Sequence, residues 1–316
     1  MEPGPHAEPA VMQVPHLNTG RESLEKTRPR PDNSELMISP NFSAADSPEE
    51  PPAKVAPCQA DLWQRIREEV QDIVASEPIL ASFLQSTVLN HKHLGSALSF
   101  HLANKLHSDV TPALLLREVF DEAFSSDDMI DCFERDMIAT YLRDSATTML
   151  SAPLLFSKGY HALQSWRAAH WLWHQGREPL ALVLQHRISV VLGVDIHPAA
   201  QIGRGIMFDH ATGIVIGETA VVEDCVSIMQ SVTLGGTGKV SGDRHPKVRR
   251  GVMIGPGAKI LGNIEIGSGS RVIAASVVLE SVPPRTLVAG VPAKVIRQLS
   301  SPDQADEMNQ GLDCGD

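Results

Sequence analysis

Across residues 58–193 apolar side chains return every three or four positions, as in Leu62, Ile66, Val70, Ile73 and Val74. That spacing predicts helices with one face turned to a core. Asp61 is placed to cap the first helix, Thr111 followed by Pro112 opens another in cap-then-proline order, and Ser125 or Ser126 starts a further one. Gly176 and Gly193 read as helix stops. Leu163, Trp166, His170 and Trp173 share a face, followed by Leu180, Leu184, Ile188 and Val191. His170 and His174 have the spacing of a zinc pair, but Trp171 stands where the glutamate of H-E-x-x-H belongs, so this face reads as core.

After Gly193 the period changes to six. Aliphatic or aromatic residues fall at Ile196, Ile202 and Phe208, then at Ile216, Val222, Ile228 and Leu234, then at Ile254, Ile260, Ile266, Val272 and Val278. Four residues after each comes a mostly small or aliphatic one: Ala200, Ile206, Thr212, Ala220, Val226, Val232, Ala258, Ile264, Ser270, Ser276 and Val282. This second position lies two residues before the next repeat, and residues two apart share a face of a strand, so both positions point inward. Each hexad supplies one short strand and one corner, and three hexads make a triangular coil of a parallel β-helix. The register breaks twice: two extra residues enter near Gly213 to Val215, and a long excursion occupies residues 235–252. Insertions in such a solenoid become loops, often on the binding face.

The fold class is therefore α+β, with a disordered proline-rich tail at 1–57, a helical assembly domain at 58–193, a β-helix at 194–297 and a flexible C-terminal tail at 298–316. The first tail holds half of the 22 prolines and more acidic than basic residues, unlike an organelle transit peptide. The net charge of −11 argues against binding nucleic acid, which needs a basic surface. No apolar run is long enough to span a membrane. Cys58, Cys132, Cys225 and Cys314 are far apart, which suits a reducing compartment and neither a zinc cluster nor a disulfide framework. The expected location is the cytoplasm.

Polar residues gather at both breaks: Asp195-Ile196-His197-Pro198 and Phe208-Asp209-His210-Ala211-Thr212-Gly213 at the first, and Gly-Thr-Gly-Lys through Gly-Asp-Arg-His-Pro at 236–246. The Gly-Thr-Gly-Lys run lacks the remaining parts of a phosphate loop. The order D-I-H-P-A-A, F-D-H-A-T-G, G-E-T-A-V, S-V-T-L-G-G-T-G-K and G-D-R-H-P-K, with L-A-S-F, L-G-S-A-L-S and H-L-A-N-K-L in the helical part, resembles serine O-acetyltransferase from about residue 62 to about residue 295.

The resemblance implies a left-handed β-helix and transfer of acetyl from acetyl-CoA to L-serine, which gives O-acetylserine for cysteine biosynthesis. It implies His210 as general base with Asp195 as its orienting partner, both catalytic. Arg244 and His245 match the positions for the serine carboxylate, and Asp209 and Asp144 those for its ammonium. Gly236, Thr237, Ala274 and Arg271 fall where acetyl-CoA, the co-substrate, is contacted. Pro256 between Gly255 and Gly257 removes one backbone donor near that groove. No metal is expected. The partners implied are a homo-oligomer, a trimer paired into a hexamer, and L-cysteine as feedback inhibitor. A complex with O-acetylserine sulfhydrylase is not expected, because the sequence ends Asp313-Cys314-Gly315-Asp316 rather than in isoleucine. Two other readings of the β-helix are transfer to a sugar, homoserine or antibiotic hydroxyl, and zinc-dependent hydration of carbon dioxide through His197, His210 and His245. A scaffold with a decayed site is the third.

Overall fold

The computed structural model describes residues 54–238, 241–301 and 304–308, so most of the 1–57 tail and residues 309–316 lie outside it. The helical pattern resolves into α1 (Gln59–Ser76), α2 (Ala81–Leu84), α3 (Leu94–Leu106), α4 (Ala113–Ala123), α5 (Asp127–Arg143), α6 (Ala152–Phe156), α7 (Lys158–His174) and α8 (Glu178–Leu192). Ser126 caps α5, its hydroxyl accepting from Met129 N, and Gly193 ends α8 in the left-handed conformation at φ 66°. Two boundaries differ from the sequence reading. Cys58 rather than Asp61 precedes α1, and Asp61 sits in the first turn, where a carboxylate also favours the helix N-terminus. Pro112 rather than Thr111 flanks α4, while the Thr111 hydroxyl pairs with that of Ser108.

The six-residue period folds as coils of three short strands. The first coil is β1 (Asp195–Ile196), β2 (Gln201–Ile202) and β3 (Met207–Asp209); the second is β4 (Val215–Ile216), β5 (Val221–Val222) and β6 (Ser227–Met229). The third is β7 (Thr233–Gly235), β8 (Lys247–Val248) and β9 (Met253–Ile254); the fourth is β10 (Lys259–Leu261), β11 (Glu265–Ile266) and β12 (Arg271–Val272). The last begins with β13 (Val277–Val278) and ends in an antiparallel hairpin of β14 (Thr286–Gly290) and β15 (Ala293–Gln298). Corresponding strands stack in parallel as three faces: β1-β4-β7-β10-β13, β2-β5-β8-β11 and β3-β6-β9-β12-β14.

Of the first set of hexad positions, all but Ile202 are buried. The excursion is shorter than the sequence suggested. β8 pairs with β5 in register Val222↔Val248, so the coil resumes at Lys247 and the loop proper ends near Pro246. Val248 and Val252 obey the period, but the polar corner Arg249-Arg250-Gly251 between them hides it. At the first break Thr212 is exposed rather than inward, and Ala211 and Ile214 take the interior. The cause is backbone: His210 and Ala211 both turn left-handed, at φ 53° and 60°, which rotates the following residue outward.

The first coil has no coil before it, so its backbone groups on that side need other partners. α5 and α7 supply them. The indole of Trp166 donates to His197 O at 3.1 Å, His170 Nδ1 lies 2.7 Å from Pro198 O, and Arg167 Nη2 donates to Gly203 O at 2.7 Å. The His170 and His174 rings meet edge to face at 4.4 Å, a packing contact. Asp136, fully buried on α5, accepts from Ile206 N at 2.9 Å through one carboxylate oxygen. Its other oxygen accepts from Arg167 Nη2 at 2.7 Å, Arg167 Nε at 3.1 Å and Gln164 Nε2 at 3.0 Å. Arg143, at the end of α5, donates to Gly205 O at 2.9 Å and Ser227 Oγ at 3.2 Å.

Within the segment read as a flexible tail, α9 (Gln304–Glu307) lies on the third face. Ser227 Oγ donates to Ala305 O, Ala305 N donates to Gly251 O, and Asp306 pairs with Arg143 at 2.7 Å. No helix among the described residues is long and apolar enough to cross a membrane.

Two predictions follow from this packing. Asp136→Ala leaves the Arg167 guanidinium buried without its counter-charge and should lower stability by about 3–5 kcal/mol, read as a shift in the urea midpoint. The second concerns the buried rings of His101 and His161, 4.8 Å apart in the helical core. Burial holds His101 down to about 4 and pushes His161 well below the usual histidine range, with the neighbouring His101 adding to the effect. The unfolded chain therefore binds protons that the fold refuses, so stability drops as pH falls from about 6.5 toward about 4, by up to about 3 kcal/mol for His101. His101→Phe keeps a ring in place and should lessen the slope of unfolding free energy against pH across that window, leaving the part due to His161.

Candidate active site

The corners of the triangular coil form two long edges that carry the polar residues. The edge between the third and first faces holds His210 to Gly213 and, two coils further on, residues 255–258 and then 273–276. The edge between the first and second faces holds Gly217 to Thr219 and the loop that ends at Arg244, His245 and Pro246.

On the first edge a cleft of about 360 Å³ opens between the coil and the helices, lined by Asp144, Lys158, Gly159, Asp209, His210 and Thr212 among others. α5 delivers Asp144 as its C-terminal flanking residue, and α7 delivers Lys158 and Gly159 as its first two. Asp144 is held by accepting from Ala146 N at 2.8 Å and Thr147 Oγ1 at 2.6 Å, and its carbonyl accepts from Lys54 Nζ. Gly159 lets α7 come down on β3: a Cβ there would stand 2.0 Å from Phe208 O. No side chain fits, so glycine is required by close approach.

His210 stands at the mouth of this cleft. Its side chain is 75% exposed, and its Nε2 is 3.8 Å from Asp209 Oδ1. Burial and the negative charge of Asp144 raise the pKa of Asp209, an effect that the nearby His210 opposes. A carboxylate beside another in this way has its charged form disfavoured, a penalty that a nearby cation relieves. The left-handed backbone at His210 and Ala211 costs of order 1–3 kcal/mol per residue and is held by its surroundings. Gly213 N donates to Gly193 O at 2.7 Å, and Ser231 N donates to Thr212 O at 2.8 Å.

Asp195 sits on β1, paired with Val215. Its Oδ1 accepts from Gln185 Nε2 of α8 at 2.7 Å, so the contact recorded for this carboxylate is to the helical domain rather than to His210.

Arg244 and His245 occupy the other edge, across the first face from His210. Arg244 Nη2 pairs with Glu218 Oε2 at 2.7 Å, and its amide donates to Thr219 Oγ1 at 3.0 Å. His245 packs on Gly217, where a Cβ would meet its Nε2 at 2.0 Å, and Thr219 N donates to its Nδ1 at 3.2 Å. Burial and the Arg244 charge lower its pKa. One chain thus brings Asp144, Asp209 and His210 together and places Arg244 and His245 elsewhere.

The four positions expected to contact acetyl-CoA are divided too. Gly236 and Thr237 lie on the Arg244 edge, where Gly236 approaches the Arg244 side chain and Thr237 the backbone of Gly262. Ala274 lies on the His210 edge, its amide so close to Gly255 that a Cβ there would stand 2.7 Å away. Arg271 is covered by the chain itself. On β12 it is 3% exposed beneath α9, donating through Nε to Gln304 Oε1 at 2.8 Å and through Nη2 to Glu307 Oε2 at 3.3 Å. The sequence gives no warning of this, because α9 is 33 residues downstream of Arg271.

Lys158 was missed in the sequence, where it is one lysine at the start of a helical stretch. Only the fold brings it opposite His210. Glu218 was likewise passed over inside G-E-T-A-V, although it is the carboxylate that holds Arg244. Among the described residues no group of three or more His, Cys, Asp or Glu side chains is placed to hold a metal ion. His197 meets Trp173 of α7 edge to face at 5.0 Å and accepts from Ala199 N through Nδ1.

Comparison with known proteins finds relatives along most of the chain. Residues 62–165 match the family described as serine acetyltransferase, N-terminal. The serine acetyltransferase of Haemophilus influenzae is 57% identical over 259 residues, which is 81% of this chain and 97% of that protein. Among solved structures, a serine acetyltransferase in complex with cysteine superposes with a TM-score of 0.79 at 56% identity, covering 81% of this chain and all of that one. Another in complex with CoA gives 0.72 at 57% identity, covering 75% of this chain and 99% of that one. Identity this high over both the helices and the β-helix, together with the two polar edges, means that the chain belongs to the serine acetyltransferase family.

Proposed function

We propose that this protein transfers the acetyl group of acetyl-CoA to the hydroxyl of L-serine, with His210 as general base. The observation that supports this most directly is the cleft in which an accessible imidazole stands beside two carboxylates. Free serine is a zwitterion. Asp144 and Asp209 suit its ammonium, and an amino acid held by that end presents its hydroxyl to His210. The imidazole takes the hydroxyl proton as the serine oxygen attacks the thioester carbonyl. The tetrahedral intermediate collapses with loss of the CoA thiolate, and the imidazolium returns the proton to sulfur. Asp195, at the start of the coil that ends in His210, is the carboxylate assigned to orient that imidazole; its contact with Gln185 uses only Oδ1.

The serine carboxylate is assigned to Arg244 and His245, with Gly236, Thr237 and Ala274 along the acetyl-CoA groove. Since these lie on two edges of one prism, the complete site is read as the seam between two copies, the His210 edge of one against the Arg244 edge of the next. A trimer satisfies every edge in this way, and pairing of helical domains would make it a hexamer. L-Cysteine, differing from serine by sulfur for oxygen, fits the same cleft and would compete with serine. The assigned location remains the cytoplasm. A bulky sugar acceptor has no use for two acids around so small a cleft.

His210→Ala should lower kcat by about 10² to 10⁴ with little change in KM for serine, measured by release of CoA thiol. Arg244→Ala should mainly raise KM for serine. Full turnover in His210→Ala would remove the general-base assignment. Mixing the two variants, unfolding and refolding them together should restore activity above that of either alone, because some seams then combine an intact His210 edge with an intact Arg244 edge. No gain on mixing would refute the shared site.

A further inference from the structure

We propose that Lys158 is a positioning residue for His210, acting through Thr212; this deepens the reading of His210 as general base and rests on it. Lys158 Nζ donates to Thr212 Oγ1, joining the first residue of α7 to the loop that carries the imidazole. The loop is short and closed on itself: Thr212 N donates to His210 O at 2.8 Å, and Ile214 N to Ala211 O at 3.0 Å. A displacement of Thr212 is therefore passed directly to His210.

Three features make the tether matter. First, His210 and Ala211 are non-glycine residues in the left-handed region, a conformation that persists only where surrounding contacts impose it. Second, the imidazole is 75% exposed and lies 3.8 Å from its acidic neighbour, so its place is set by the backbone beneath it rather than by packing around it. Third, Thr212 falls at a hexad position that elsewhere turns inward, yet it is exposed and meets Lys158. The remaining restraints on the loop come from the end of α8, through Gly193 O, and from the second coil, through Ser231 N. Lys158 ties it to α7, whose Gly159 is already pressed onto Phe208. The same helical domain supplies Asp144, so the tether fixes the base relative to the carboxylate that would hold the substrate ammonium.

The test is steady-state kinetics with acetyl-CoA and L-serine on Lys158→Met, Lys158→Arg, Thr212→Val, Thr212→Ser and the Lys158→Met/Thr212→Val double variant, beside His210→Ala. A base displaced by a fraction of an ångström to about 1 Å costs up to about 10²-fold in rate. Lys158→Met and Thr212→Val should each lower kcat by about 10-fold or more, with KM for both substrates within about twofold of wild type. The double variant should be no worse than either single, since both remove one interaction. Thr212→Ser, which keeps the hydroxyl, should restore turnover, and Lys158→Arg should restore part of it. Thr212 is exposed, so its variants report even where a Lys158 variant folds poorly.

Unchanged kcat in Thr212→Val would overturn the proposal, as would losses that multiply in the double variant. A raised KM for serine at unchanged kcat would make Lys158 a substrate contact and overturn it too. These failures are distinct from failure of the general-base reading, which shows as full turnover in His210→Ala.

Discussion

The site depends on how the open end of the β-helix is closed. A coil with no predecessor leaves backbone amides and carbonyls facing outward, and burying them without partners would cost about 1–3 kcal/mol each. Asp136 and Arg167 meet that requirement as a pair: the carboxylate takes Ile206 N while the guanidinium gives to Gly203 O, and each neutralises the other. A buried ion pair is poor evidence for stability in itself, since desolvation offsets attraction. Here its value is positional. It fixes α5 and α7 against the first coil, and those two helices carry Asp144 and Lys158 to His210.

The repeat supplies rigidity and the interruptions supply chemistry. Stacked coils have corners made alike, so a regular corner offers a ligand nothing particular. Two extra residues after β3 turn His210 and Ala211 left-handed, lift the imidazole off the prism and turn Thr212 outward. Eleven residues between β7 and β8 do the equivalent for Arg244 on the other edge. In both places close approach through glycine makes the irregularity fit: Gly159 under Phe208 and Gly217 under His245. The strain is thus confined to loops seated on an unusually regular support.

The charges on the two edges are complementary. The His210 edge has excess acid, with Asp209 raised in pKa by burial and by Asp144, whereas the Arg244 edge presents a guanidinium held lightly by the half-exposed Glu218. A zwitterionic amino acid needs both signs. The proposal that two copies share the site rests on bringing the acid-rich edge of one against the Arg244 edge of the next.

The sequence alone determined the period of six, the inward-facing set and the two interruptions, and the resemblance it carries named His210, Asp209, Asp144, Arg244 and His245, of which the fold brings Asp144, Asp209 and His210 into one cleft. Periodicity and motif order are local properties, fixed by strand and helix geometry over a few residues. The same locality misled where polar corners hid it, at Val248 and Val252, and where a left-handed turn reversed it, at Thr212. Tertiary structure decided what lies far apart in the chain: that Asp136 and Arg167 cap the first coil, that Arg271 is covered by α9, that Asp195 meets Gln185, and that Lys158 reaches Thr212. No pattern in the sequence encodes those meetings, because they arise from the docking of a helical domain onto a prism, set by shape and by backbone groups that need partners rather than by spacing.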